Sequence, residues 1–165
     1  MFTINTNWAI KMNRGDEVQF PLFVNNGDRR NWVRYEFNRE YNPEEECEEI
    51  YFYIIPLHLD YDNFVLKKTF SCNGTITTEK PNEDTVISTN NNTLNENHDF
   101  VITLDENDTK SLCDNEYVYL VRAKVLTEKI NSKNIITTGK NKFTTIQITN
   151  KYPFYLIDDE IIRAD

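Results

Sequence analysis

Residues 105–126, Asp105-Glu106-Asn107-Asp108-Thr109-Lys110-Ser111-Leu112-Cys113-Asp114-Asn115-Glu116-Tyr117-Val118-Tyr119-Leu120-Val121-Arg122-Ala123-Lys124-Val125-Leu126, read as a short capped helical turn running into one long strand. Asp105 is placed to accept a hydrogen bond from the amide of Asp108 while the Asp108 carboxylate reaches back, a D-x-x-D form of the capping box. Acidic side chains in the first turn also suit the positive end of the helix dipole. About two turns fit before Asp114-Asn115, a dipeptide suited to a tight turn. From Tyr117 the period changes to two. Tyr117, Tyr119, Val121, Ala123 and Val125 fall on one face, and Val118, Leu120, Arg122, Lys124 and Leu126 on the other. Apolar on both faces in its first half, this is the expected core strand, in mid-sheet or between two sheets.

Working outward, Phe100, Val101, Ile102, Thr103 and Leu104 form a strand that feeds the cap. Residues 49–59 are dense in apolar side chains, and 49–55 are expected to pair with 63–70 as a hairpin. Trp8, Ile10 and Met12 alternate with Asn7, Ala9 and Lys11 in a first strand. The Asn13-Arg14-Gly15-Asp16 turn ends it, with Gly15 able to take positive φ. Val18, Phe20, Leu22 and Val24 make a second strand. Its Pro21 cannot donate to a ladder, so that strand lies at an edge or pairs on one side only.

Two stretches look like insertions. Residues 28–48 are highly charged, with Trp32, Tyr35 and Phe37 as apolar anchors and a short strand near 33–37. Residues 71–98 are rich in Asn and Thr and read either as short strands at 75–77 and 85–89 or as a disordered stretch or exposed flap. Further on, 134–138 and 142–149 flank Thr138-Gly139-Lys140-Asn141, a hairpin signal, with a bulge expected between Phe143 and Ile146 where alternation fails. Tyr152-Pro153-Phe154-Tyr155-Leu156-Ile157 is too apolar for a free tail and is expected to dock on its own domain or on a neighbour. The expected architecture is all-β: an antiparallel β-sandwich over residues 1–150 with one short helical turn, and a C-terminal arm at 151–165.

At 165 residues the chain fits one domain, or one domain with an arm. Aromatics make up 13% of it, which favours strands over helices. The net charge of −9 opposes a phosphate-binding surface and adsorption to anionic membranes, so neither nucleic acid nor a membrane is expected as a partner. Cys47, Cys72 and Cys113 are odd in number and widely spaced, indicating neither a disulfide framework nor a zinc site. No apolar run approaches the roughly 18 residues of a membrane span, and no signal peptide is read at the N-terminus, so synthesis and assembly in a cytoplasm are expected.

Catalytic patterns do not emerge. There is no nucleophile elbow, P-loop or HExxH motif. His58 and His98 both sit beside turn-like sequence and read as surface histidines. Asp105, Asn107 and Asp108 have the oxygen ligands calcium prefers but lack the loop spacing of an EF-hand, and helix capping explains them better. The acidic cluster at 44–49 reads as a solvated face. Arg14-Gly15-Asp16 reads as a turn rather than an adhesion motif. With no nucleophile–base–orienter set, the chain is expected to be neither an enzyme nor a cofactor-binding protein.

Several landmarks stand in order: Met12-Asn13-Arg14-Gly15-Asp16-Glu17-Val18-Gln19-Phe20, then Ile50-Tyr51-Phe52-Tyr53-Ile54, then Lys67-Lys68-Thr69-Phe70. An Ile-x-Leu-x-x-x-Asp-Thr-x-x-Leu element at 102–112 follows, ahead of Tyr117 and Tyr119, and a Phe-containing strand at 142–149 closes the series. In this order they resemble the small immunoglobulin-like domains of phage tails and baseplates, such as the N-terminal domain of baseplate upper proteins. The chain departs from that pattern in its two insertions and in Asp114-Asn115, where a glycine turn is usual.

The resemblance implies an immunoglobulin-like sandwich serving as a non-catalytic virion component, an adaptor or building block of the tail, baseplate or neck. Other virion structural proteins are then the expected partners, in a symmetric multicopy assembly. The candidate contact residues are Tyr152, Phe154, Tyr155, Leu156 and Ile157 in the arm, with Trp32 and Tyr35. Two other readings stand beside it: a capsid decoration or head fibre, and a carbohydrate-binding module using exposed Trp32, Tyr35 and Tyr41.

Overall fold

The computed structural model describes residues 2–26, 33–38, 47–129 and 143–158. The strands are β1 (Phe2–Ile4), β2 (Ile10–Asn13), β3 (Val18–Leu22), β4 (Asn25–Asn26), β5 (Val33–Arg34), β6 (Glu49–Pro56) and β7 (Leu66–Ser71). After them come β8 (Thr75–Glu79), β9 (Val86–Thr89), β10 (Phe100–Leu104), β11 (Tyr117–Leu126), β12 (Phe143–Gln147) and β13 (Tyr152–Ile157), with helix α1 (Glu106–Lys110) between β10 and β11. The expected hairpin at 134–142 and the acidic residues 44–46 lie outside the described residues.

β11 is the axis of the fold. One edge pairs with β6 from Tyr117↔Pro56 to Lys124↔Glu49. The other edge takes β12 along 122–126 and β13 along 117–119. Around it the main sheet runs β1-β2-β13-β11-β6-β7-β8-β9, with β12 beside β11. The short β10–β3 sheet faces it across the core. Phe20 from β3 meets Phe52 from β6 edge-on at 6.3 Å and stacks with Phe2 from β1 at 5.4 Å. The result is an all-β, sandwich-like arrangement of mostly antiparallel strands with one short α-helix among the described residues; the β2–β13 pairing is parallel.

The alternation read for β11 holds on both faces. Tyr117, Tyr119, Val121, Ala123 and Val125 enter the main core. Val118 and Leu120 join Tyr53 and Ile55 in a smaller cluster covered by Tyr61 and Phe64. The capping box is present with both of its bonds, and Gly15 has φ +81° in its turn. Among the described residues, Pro21 lies in a strand paired on one side, with β10. Residues 75–79 and 86–89 form a hairpin continuing the sheet, so the first of the alternatives for 71–98 is the observed one.

Three expectations are corrected. Trp8 does not extend the first strand: it stands in the β1–β2 loop with φ +64° and is 52% exposed. The Asn5 side chain sets that loop by accepting from the amides of Asn7 and Ala9. No bulge lies between Phe143 and Ile146, where the β11–β12 register is continuous. The interruption comes later. Gln147 faces Arg122 and Tyr152 faces Tyr119, leaving 148–151 opposite 120–121. Ile148 N and Thr149 N both donate to Val121 O there. Finally, residues 152–157 are not an arm on the outside of a finished domain. β13 prolongs the line of β12 beyond that interruption and inserts between β11 and β2.

Buried charges are used to tie the layers together. Lys68 Nζ on β7 lies 2.7 Å from Asp108 Oδ2, with both side chains 3% exposed, and donates also to Thr103 O at 2.7 Å. Burial raises the Asp108 carboxyl above its ordinary range while Lys68 opposes that shift. The Arg34 guanidinium grips fully buried Asp99 through both carboxylate oxygens. Glu48 is buried, not on a solvated face. It accepts from the Tyr35 hydroxyl, which itself accepts from Leu126 N at 3.0 Å.

Candidate functional site

The residues proposed for contact from the sequence disperse in the structure. Phe154 is 1% exposed and packs in the core, and Leu156 is half-buried against it. Tyr155 is exposed, Ile157 is half-buried, and Tyr152 lines a concave surface. Tyr35 is buried at 2% exposure, which removes it as a glycan platform or docking residue. Its phenol is pushed far above its ordinary value, first by burial and then by Glu48. Trp32 and Tyr41 lie outside the described residues.

The concave surface at Tyr152 is a cleft of about 330 Å³ between the β1–β2 loop, the segment after β3 and the β12–β13 interruption. Half-exposed Trp8 and Phe23, the more buried Tyr119 and Tyr152, and Gln147 and Thr149 are among its lining residues. β11 positions much of it. The Tyr119 hydroxyl donates to Trp8 O at 2.5 Å, and Thr149 Oγ1 accepts from Val121 N at 2.9 Å. Tyr119 and Tyr152 are 5.8 Å apart between ring centroids, and burial raises the Tyr119 phenol above its usual range. On the outer side the Arg34 guanidinium sits 5.0 Å over the Phe23 ring while bound to Asp99.

Chemically the cleft is an aromatic surface with neutral hydrogen-bonding groups. Among the described residues, none lining it is charged, although the chain carries −9 overall. It offers two half-exposed rings with neutral amide and hydroxyl groups between them. Covering the exposed parts of both rings would remove on the order of 200 Å² from water, worth roughly 5 kcal/mol before the costs of association. Two larger depressions lack such anchors. One of about 750 Å³ is lined by turn residues such as Asn92, Asn95 and Glu96, and one of about 520 Å³ runs beneath β9.

The polar motifs noted in the sequence have structural partners. Arg14 is held by Leu112 O, Asp114 and Asp158, and Gly15 N donates to Thr109 Oγ1 at 2.9 Å. This ties the first turn to the end of α1. His98 Nδ1 lies 2.9 Å from Phe37 O. Asp105 and Asp108 spend carboxylate oxygens on the helix cap. Among the described residues no group of three or more His, Cys, Asp or Glu converges as a metal site. Cys47 and Cys72, 25 positions apart, are brought into contact where β6 and β7 meet. The hydrogen bond from Cys72 lowers the Cys47 thiol to about 6 against the opposing effect of burial.

Trp8 was missed as a surface residue because it fits the alternation of the first strand, whereas Phe23 falls on the face opposite Val18, Phe20, Leu22 and Val24. The clue was Asn5, whose position before Asn7 and Ala9 suits an Asx-type turn. No family model matches the chain, and no curated protein or solved structure matches it significantly.

Proposed function

We propose that this protein is a non-catalytic structural component of a bacteriophage particle, an adaptor or building block of the tail, baseplate or neck. In this reading it docks a neighbouring virion protein at the Trp8–Phe23 cleft. The observation that supports the docking role is the pair of large aromatic rings held half out of water, Trp8 on the β1–β2 loop and Phe23 just after β3. Positive φ at a residue as bulky as tryptophan costs free energy that the Asn5 and Tyr119 bonds offset. Elsewhere the buried charges are occupied in holding the sandwich together. The order of motifs shared with immunoglobulin-like tail domains supplies the particle context. A capsid decoration or head fibre would use the same surface at another place in the particle.

The test is protein mass spectrometry of gradient-purified particles from cells carrying the gene, with wild-type chain or Trp8→Ala. Wild-type chain is expected in the particles in many copies, and the variant, folded by circular dichroism, is expected to be depleted. Particles without the wild-type chain refute the reading.

The uncharged lining favours one other reading, a neutral saccharide stacked between Trp8 and Phe23. A glycan array distinguishes it, since a pure adaptor shows no sugar preference.

A further inference from the structure

Strand β9 closes one end of the main sheet, and among the described residues nothing pairs with its outer side. Native edge strands are commonly blunted by lysine, proline, a bulge or a covering segment, because their free N–H and C=O groups template pairing with another chain. Residues 85–89, Thr-Val-Ile-Ser-Thr, contain no charge and no proline. Val86 and Ile87 are instead 60% and 69% exposed.

The β8–β9 hairpin fixes which backbone groups are free. Asn90 N donates to Gly74 O at 2.7 Å, and the register makes these two residues partners. Bonded and non-bonded pairs alternate in an antiparallel ladder, so Val86 and Ser88 also turn their amide groups toward β8. Thr85, Ile87 and Thr89 turn theirs outward. Ser88 lies opposite buried Ile76, so Val86 and Ser88 project toward the core side and Ile87 and Thr89 away from it.

We propose that β9 pairs with β9 of a second copy of this chain, antiparallel and centred on Ile87. A two-fold axis there sets Ile87 against Ile87 and Thr85 against Thr89, so every outward-facing residue meets another. A slip of one residue would set outward-facing groups against inward-facing ones. The charges agree with the same register. Asp84, the nearest charged residue, falls opposite Asn90, and two copies of a −9 chain meet where neither carries charge. Such a contact is isologous, the commonest form of self-association.

An edge of about five residues buries far less than the roughly 1,200 Å² of a stable complex. Pairing of isolated chains is therefore weak, and repetition in a symmetric assembly strengthens it. Its use in a particle rests on the function proposed above, whereas the pairing itself is a property of the purified chain.

Sedimentation equilibrium of the full chain over a wide concentration series tests it. The wild type is expected to show a monomer–dimer equilibrium in the micromolar-to-millimolar range, as expected for a small interface. Ile87→Lys sets two ammonium groups face to face, and Ile87→Pro removes one outward N–H while leaving the bonds to β8. Each is expected to weaken dimerisation at least about tenfold, a change of ~1.4 kcal/mol, with an unchanged circular dichroism spectrum. A wild-type chain that stays monomeric throughout overturns the proposal, as does dimerisation of both variants at wild-type strength. Dimerisation in solution by a chain absent from particles refutes the particle role alone.

Discussion

Replacing Asp108 with alanine removes two interactions from one carboxylate. As the reciprocal half of the capping box, Asp108 Oδ2 accepts from Asp105 N at 2.8 Å. As a buried counter-ion, the same oxygen lies 2.7 Å from Lys68 Nζ. A lost capping interaction alone costs about 1 kcal/mol. Stranding a buried charge costs more, about 3–5 kcal/mol, because the partner keeps its desolvation penalty without its attraction. Lys68 is 3% exposed and keeps the Thr103 carbonyl and the face of the Phe70 ring at 5.7 Å, neither of which carries a full negative charge. The ion pair therefore dominates, and Asp108→Ala should destabilise the fold by about 3–5 kcal/mol in urea unfolding followed by circular dichroism. A double-mutant cycle with Lys68→Met separates the two parts, since the double mutant has no stranded ammonium. Its stability should exceed that of Asp108→Ala, with a coupling energy of roughly 2–3 kcal/mol. A loss near 1 kcal/mol for the single mutant with no coupling would reduce the residue to its capping role.

Deleting 151–165 removes β13 from between β11 and β2 and takes Phe154 from the core, so the β-type circular dichroism signal and cooperative unfolding should be lost. A truncated chain that unfolds like the wild type would put the segment outside the core. Cys47 should be alkylated by iodoacetamide with a pH midpoint near 6, because the Cys72 hydrogen bond favours its thiolate above that value. Buried Cys72, whose thiol is pushed up by that bond and by burial, should stay unmodified in the native state. Peptide mass mapping across the pH series reads both, and a Cys47 midpoint near that of a free thiol contradicts the contact. Arg14→Lys loses the fork that reaches Leu112, Asp114 and Asp158, and should cost roughly 1–2 kcal/mol in urea unfolding. An unchanged midpoint would mean that the fork carries no stability.

Local chemistry made part of this fold readable. The Asp105–Asp108 cap, the period-two run from Tyr117 and the β6–β7 hairpin depend on residues near one another in sequence, and all three stand as expected. What escaped the sequence depends on distant partners. Lys68 meets Asp108 across 40 positions, and Tyr35 is buried because Glu48 and the distant Leu126 amide satisfy its hydroxyl. The run at 152–157 is apolar enough to mark burial, but its place follows from a parallel pairing with β2 that alternation cannot encode. Trp8 fitted the apolar alternation and was expelled by the Asn5 turn. The cleft joins three separate segments of chain, which is why only Tyr152 of its lining was foreseen.

The most direct measurement is a cryo-EM reconstruction of the particle at side-chain resolution. Copies of this sandwich related by the particle's symmetry are expected, each with Trp8 and Phe23 covered by a neighbouring virion protein. Symmetric copies whose Trp8–Phe23 clefts stand open to solvent, or a particle without the sandwich, would contradict the proposed role.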